Sequence, residues 1–505
     1  MRRVVDALIV GSGFSGSLLG WILGRQGWGV TIVDAGRHPK FAIGESSTPT
    51  ADFLLAHLAD RWSLTGLAPL ACWGSWQATY PELVCGKKRG FSYYRHFSGQ
   101  PFRDDESHSN SLLVAASCDD RWSDTHWLRS SVDAFIARRA VATGAELVES
   151  TRVTEAFYDD VTERWRVTIA GLEGRREIVC RWLLDASGGG AASAAFVDNP
   201  PDEDWMRTRT RASYAHFRNV KPFASEPCPE ASFAGDDAAQ HHILDDGWCW
   251  MLRMNNGVTS VGVVEDLFRG DGGLWSRLGD FPSVAGMLSD AEQVASLAGS
   301  AGGDSRLDIG GDGGGVGLIT TGRISRCRRA AAGAGWALLP AAYGVVDPLH
   351  STGIAHSLSG VARVAEILTG DTNQIAARLA GYDRELRAEL RWIDTMVAGC
   401  YRSLPSFSRL TAFASWYFVA AIGFESAMVA DPTRWPLGFL GCQDQELIES
   451  AERSLAEVCD SSLGDSELIA AVRRRIEPWN HVGLLDPTHR NRLRHTTAPK
   501  YALLG

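Results

Sequence analysis

The sequence has no CxxC pair and no cysteine–histidine pair at metal-ligand spacing, although it contains ten cysteines. Scattered thiols of this kind argue against a zinc module and a disulfide framework, and they fit a chain kept reduced in a cytoplasm. Basic charge is also in short supply: 50 Lys and Arg stand against 60 Asp and Glu, a net charge of −10. A nucleic-acid surface needs clustered cations, and the short runs Arg473–Arg475 and Arg490–Arg494 read as solvated helix faces instead. One stretch, Thr411–Ala430, is apolar enough to consider for a membrane, but it contains Ser415 and Glu425 and reads as a buried or interfacial helix. Arg2-Arg3 before an apolar run resembles a leader, yet Asp6 and the glycines that follow make it a strand and loop. The chain also lacks internal repeats and a low-complexity tail. No membrane and no nucleic-acid partner is expected.

What is present begins with a complete βαβ unit. At 505 residues and 45% hydrophobic content the chain can bury a large core. Val4–Val10 is a continuous apolar run, as a buried parallel strand requires, and it feeds Gly11-Ser12-Gly13-Phe14-Ser15-Gly16. A helical stretch to about Gly27 and a second strand, Val30–Val33, end at Asp34. Gly11 permits the tight turn, Gly13 lets a pyrophosphate approach backbone amides, and Gly16 allows close helix–strand packing. Asp34 is placed to accept from ribose hydroxyls. The context of strand, loop, helix, strand and acid indicates dinucleotide binding, without deciding between FAD and NAD.

Further strands are expected at Val153–Tyr158, Trp165–Ile169 and Ile178–Leu184, and a helix over Trp127–Ala145. Gly302–Gly317 reads as a surface loop, and the chain from Thr352 onward as mainly helical, packed through Phe413, Trp416, Tyr417 and Phe418. The expected fold is α/β. A doubly wound FAD-binding part covers 1–204 and returns over 326–370, a substrate-binding sheet is inserted at 205–325, and a helical region covers 371–505.

Several segments point past the first motif. Gly44-Glu45-Ser46-Ser47-Thr48-Pro49 follows the second strand, Arg129 and Asp133 open a helix, and Asp185-Ala186-Ser187-Gly188 closes a strand. Cys85-Gly86-Lys87-Lys88-Arg89-Gly90-Phe91-Ser92-Tyr93 sets basic residues among glycines and aromatics. Trp248-Cys249-Trp250-Met251-Leu252-Arg253 and Val346-Asp347-Pro348-Leu349-His350-Ser351-Thr352-Gly353 complete the set. In this order, from residue 4 to about residue 360, they resemble the flavin-dependent halogenases of the tryptophan halogenase superfamily, closest to the phenol-type branch. The remaining C-terminal residues resemble them only in being helical.

The resemblance implies an enzyme that takes FADH2 from a separate flavin reductase. With O2 and chloride or bromide it halogenates a small electron-rich aromatic of phenol or pyrrole type. Lys88 would hold or relay hypohalous acid, for which a desolvated lysine of lowered pKa is suited. Lys87 is the competing candidate, disfavoured by the spacing to Gly90. Gly11, Gly13, Ser15, Gly16, Asp34, Ala42, Gly44, Glu45, Ser46, Arg129, Asp347 and Ile354 would lie along FAD. Thr352 and Gly353 would offer amides to the halide at a helix start, where Ser351 or Thr352 could equally be a side-chain cap. Trp248 and Trp250 would screen the flavin.

The sequence departs from the family in three places. Leu252-Arg253 replaces Ile-Pro after the tryptophans, and Arg253 is expected to loosen that screen. Pro340-Ala341-Ala342 lacks the acid that many FAD enzymes aim at the ribityl chain, which suits loosely held flavin. His350 stands where tryptophan halogenases have a glutamate, making a phenol a better substrate expectation than tryptophan. It would assist phenol deprotonation, or be a helix-start histidine bonded to backbone. The rivals are a flavin monooxygenase or prenyl-type reductase on the same fold and, in a different class, a non-catalytic flavin-binding or carrier-docking module.

Overall fold

The computed structural model describes residues 2–172, 174–190, 192–223, 233–270, 272–294, 318–431, 438–460, 463–498 and 500. The glycine-rich stretch 302–317 lies outside the described residues.

β1 (Arg2–Val10) leads through the glycine loop into α1 (Phe14–Arg25) and β2 (Val30–Val33). α2 (Pro49–Arg61) starts where Thr48 accepts from the Ala51 amide at 3.4 Å, with Pro49 preset for the first helical position. α3 (Trp73–Thr79) carries Trp76, buried 6.3 Å from Trp127. β3 (Cys85–Lys88), β4 (Gly90–Arg95), β5 (Ser111–Ala115) and β6 (Asp124–Trp127) precede α4 (Arg129–Ala142). β7 (Glu146–Val148), β8 (Thr151–Asp159), β9 (Arg164–Gly171) and β10 (Gly174–Asp185) finish the first sheet. Its parallel centre has the order Trp336–Leu338, β10, β1, β2, β7, and the antiparallel β8–β9 hairpin continues from β10. β1 and β2 are apolar because helices cover this sheet.

A second sheet contains β11 (Thr210–Arg218), β12 (Ala239–Ile243), β13 (Gly247–Arg253) and β14 (Thr259–Asp266), in the order β11-β14-β13-β12-β4-β5. It therefore draws β4 and β5 from outside residues 205–325, and Arg492–Leu493 adds to its far edge beside β5. The expected boundaries differ for a physical reason. Strand pairing joins segments by side-chain fit and register, whatever their separation along the chain.

The helices α5 (Pro282–Leu288), α6 (Pro340–Tyr343), α7 (Thr352–Thr369), α8 (Ile375–Ser403), α9 (Phe407–Ala430), α10 (Gln445–Cys459) and α11 (Asp465–Ile476) complete the chain. α9 is long and apolar enough to cross a membrane, but its most apolar stretch is 78% buried inside the protein.

Candidate active site

The nucleotide end follows from steric necessity at two glycines. Gly11 has φ +103°, and a Cβ there would stand 2.5 Å from the Ala186 carbonyl oxygen. A Cβ on Gly16 would lie 2.1 Å from the Gly11 carbonyl oxygen and 2.8 Å from the Ala186 Cβ. Ala186, in the Asp185–Gly188 strand end, is thus the small residue against which the loop closes, and Asp185 holds the turn by accepting from Ser187 and Ser193. Around Gly13 there is room, since nothing comes closer to its Cβ position than 3.6 Å. Gly13 is also the N-cap of α1, where no side chain caps the first-turn amides. Ser15 is buried in that first turn. Such a start fits a pyrophosphate.

Asp34, at the end of β2, accepts from the Ser12 amide at 2.6 Å, the Ser12 hydroxyl at 2.8 Å, the Gly36 amide at 2.8 Å and Lys40. Burial works to raise its pKa, but Lys40 and these donors outweigh it and hold the carboxylate at about 2. It is an ionised acceptor at every working pH. Arg129 pairs with Asp133 at 2.8 Å and donates to the carbonyls of Ile43 at 2.7 Å and Gly44 at 3.1 Å. That fastens the Ala42–Ser46 loop over the start of α4. Glu45 is buried, with one oxygen 2.8 Å from His216 Nε2 and the other without a partner. These features fit the length of an FAD.

Lys88 lies at the other end and is fully buried. Its amine donates to the Ser47 carbonyl at 2.5 Å and sits 4.0 Å from the Phe91 ring centroid. Burial lowers its pKa to about 8, against the opposing pull of Asp124 and Asp52. Lys87, on the opposite face of β3, reaches Asp120 at 2.7 Å and Asp237 at 3.0 Å, and those partners raise its pKa despite partial burial. The alternation of strand side chains separates the two lysines.

A row of rings extends from Lys88. Tyr93 stacks on His241 at 4.5 Å, and His241 stacks on Trp248 at 4.9 Å. Trp250 follows at 6.0 Å and approaches Tyr214 at 5.9 Å. The Tyr93 hydroxyl is buried without a hydrogen-bond partner. His241 and Tyr93 are opposite one another in the parallel β4–β12 ladder, a long-range register with no signal in either segment alone. Burial, then Lys88, lowers the His241 pKa to about 4, so its ring is neutral. Its Nε2 lies 3.1 Å from the Leu349 carbonyl, which ties the row to the start of α7.

At that start Ser351 takes φ +54° and makes no side-chain cap, so a capping role is not met there. Thr352 and Ile354 are buried, whereas the Gly353 Cβ position has nothing within 4 Å. Asp347 is turned inward, accepting from Thr210 at 2.6 Å and Tyr401 at 3.0 Å, while Tyr401 accepts from Trp248 at 2.8 Å. Burial raises the Asp347 pKa to about 7. His350 is buried flat against Tyr417, 4.6 Å between ring centres, with Nε2 3.6 Å from the Cys400 thiol and no backbone bond to Nδ1. Burial lowers its pKa to about 3. A ring that resists protonation is a poor general base, which weighs against His350 deprotonating a phenol.

Arg253 also differs from expectation. It does not face the tryptophans but donates to Asp236 at 2.6 Å and to the carbonyls of Val220 at 2.9 Å and Lys221 at 2.6 Å. Arg253→Pro would remove three side-chain bonds and set a proline at the end of β13. The expected result is a melting temperature lowered by several degrees, with peroxide released per FADH2 oxidised unchanged. Thermal melts and peroxide assays on one preparation check both.

Among the described residues no group of three or more His, Cys, Asp or Glu could hold a metal ion.

No protein-family model matches the chain. It is 25% identical over 443 residues to the tetracycline 7-halogenase of Kitasatospora aureofaciens, covering 83% of this chain and 74% of that protein. It is 26% identical over 436 residues to the monodechloroaminopyrrolnitrin halogenase PrnC of Pseudomonas fluorescens, covering 83% and 71%. The crystal structure of halogenase PltM with phloroglucinol and FAD superposes with a TM-score of 0.82 at 19% identity, over 96% of this chain and 99% of that one. The glycine-loop βαβ unit and its cradle define the class, a dinucleotide-binding α/β protein. Within that class the chain is a homologue of the flavin-dependent halogenases and has their fold.

Proposed function

We propose that the enzyme halogenates a small electron-rich aromatic, phenolic or pyrrolic, and that Lys88 carries the halogen to it. Bound FADH2 with O2 supplies the oxidising power that turns chloride or bromide into hypohalous acid. Gly11, Gly13, Ser15, Gly16 and Asp34 hold the ADP half of the cofactor, while Ala42, Gly44, Glu45, Ser46 and Arg129 follow its length. Asp347 and Ile354 would brace the cofactor from within the protein, and the uncapped amides of Thr352 and Gly353 would take the halide.

The observation that carries the reading is a fully buried amine over an aromatic ring, its pKa pushed down by burial to about 8. The Lys88 lone pair accepts halogen from hypohalous acid, forming an N–X bond and releasing water, and then yields halogen to the ring carbon. Burial keeps the oxidant from bulk water. Trp248, locked by Tyr401, and Trp250, bonded to Ser260 at 3.1 Å, form the wall that screens the flavin. His350 shapes the aromatic surface as a neutral ring. PltM binds phloroglucinol, a triphenol, and the flat rings Tyr93, His241 and Tyr417 here suit a similar guest. A separate reductase in the cytoplasm supplies the FADH2.

The test combines the purified enzyme with a flavin reductase, FAD, NADH, halide and a panel of phenols, pyrroles and tryptophan, read by mass spectrometry. Halide-dependent mass gain on phenols or pyrroles supports the reading. Oxygenated products, or preference for tryptophan, would overturn the activity or the substrate class. His350→Gln should slow phenols of high and low pKa to the same degree, because a neutral ring removes no proton. A steep dependence on phenol pKa would restore the base role.

A further inference from the structure

The carboxylates around Lys88 are already occupied by another lysine. Lys88 is opposite Asp124 in the β3–β6 ladder, and the Ser47 residue that accepts from Lys88 donates its hydroxyl to Asp52 at 3.3 Å. Lys500 lies 2.5 Å from Asp52 Oδ2, bonds Asp124 Oδ1, and donates to the Trp122 carbonyl at 2.9 Å. All four charged side chains are buried. The approach of Lys500 is built: Arg492–Leu493 pairs with β5, the Thr496 amide bonds the Ala115 carbonyl at 3.0 Å, and Thr497 donates to Glu425 at 2.6 Å.

We propose that Lys500 is a positioning residue for halogenation: by compensating Asp124 and Asp52 it leaves Lys88 free to shed its proton and present an uncharged amine. The inference rests on the reading of Lys88 as halogen carrier.

The charge balance supports it. Two buried carboxylates side by side do not both ionise easily, and burial beside Asp124 raises the pKa of Asp52. With a proton on Asp52, the Asp124 carboxylate and the Lys500 ammonium cancel, and Lys88 faces a neutral group. Burial works against the Lys500 ammonium, but Asp124 and Asp52 more than offset it and raise its pKa. Without Lys500, Asp124 would find its counter-ion in Lys88 and keep that amine protonated. The other groups facing Lys88 are His126 on β6 and His241 on β12, held neutral by burial with pKa values of about 3 and about 4. Glu425 on α9 faces the Asp124–Lys500 end, and burial raises it to about 7.

The chain's lysines are only Lys40, Lys87, Lys88, Lys221 and Lys500, so NMR of protein labelled with 13C at lysine Cε can follow each one. Lys88→Met assigns the Lys88 signal. In the wild type the Lys88 signal should titrate near pH 8. In Lys500→Met its midpoint should rise by on the order of one unit, and in Asp124→Asn, which keeps Lys500, it should fall. The rise of halogenation with pH should shift in the same directions, with FAD affinity unchanged. A midpoint that stays put in Lys500→Met while only thermal stability drops would make Lys500 a tail anchor and overturn the proposal. Should Lys500→Met fail to fold, an unmoved midpoint in Asp124→Asn overturns it equally. If the midpoints move as expected but Lys88→Met still halogenates, the carrier reading fails and the charge coupling stands.

Discussion

Lys88→Met should lower halogenation by ~10³-fold or more while FADH2 binding and its reoxidation by O2 continue, so that peroxide replaces halogenated product. Lys88→Arg should fail as completely, because a guanidinium keeps its charge and offers no nucleophilic lone pair. Lys87→Ala should stay within a few-fold of wild type, since Lys87 is spent on Asp120 and Asp237 across the strand from Lys88. The pH dependence carries a sign. The uncharged fraction of Lys88 grows as pH rises through about 8, so single-turnover halogenation should climb between about pH 7 and 9. A rate that falls over that range would mean that the ammonium, donating a hydrogen bond to hypohalous acid, is the active form. Product yield per FADH2 consumed, measured across that range for all three variants, decides the matter.

Gly16→Ala should weaken FAD binding by ~10²-fold or more and lower stability by several kcal/mol. The added methyl would be aimed at the Gly11 carbonyl oxygen 2.1 Å away, in the loop that must close on the pyrophosphate, and at Ala186, in the strand end against which that loop closes. Neither is the movable end of a long side chain. Gly13→Ala makes the internal comparison: its Cβ position is clear of protein atoms to 3.6 Å, so the fold should survive while phosphate approach suffers. Flavin fluorescence titration beside thermal melts separates the two. Equal losses of stability in both variants would refute this division of roles.

The βαβ start was legible because each requirement is local. An apolar run, glycines at a tight turn and an acid after the second strand need no distant partner to be recognised, and β1, α1 and β2 form at those residues. Separating Lys88 from Lys87 was within reach of spacing, since adjacent residues of a strand face opposite ways. The second sheet was not legible as a unit. β4 and β5 join β11–β14 through a parallel ladder to β12 that spans well over a hundred residues of sequence, and neither strand announces its partner. His241 and Lys500 were missed for the same reason, and Tyr417 was read only as helix packing.

What the sequence determined alone is the kind of chemistry: a dinucleotide loop, a lysine among glycines and aromatics, and tryptophans at strand spacing. What only the tertiary structure decided is the state of those groups. A histidine at a helix start reads as a base until burial against Tyr417 makes its protonation costly. An arginine after the tryptophans reads as a breach in a wall until Asp236 is seen to hold it elsewhere. Lys88 reads as a lysine suited to handle halogen, but its lowered pKa comes from burial, and the lysine beside its neighbouring carboxylates, Lys500, is brought there only by the fold. Ionisation depends on desolvation and on charges brought close in space, and neither is encoded at any one position of the chain.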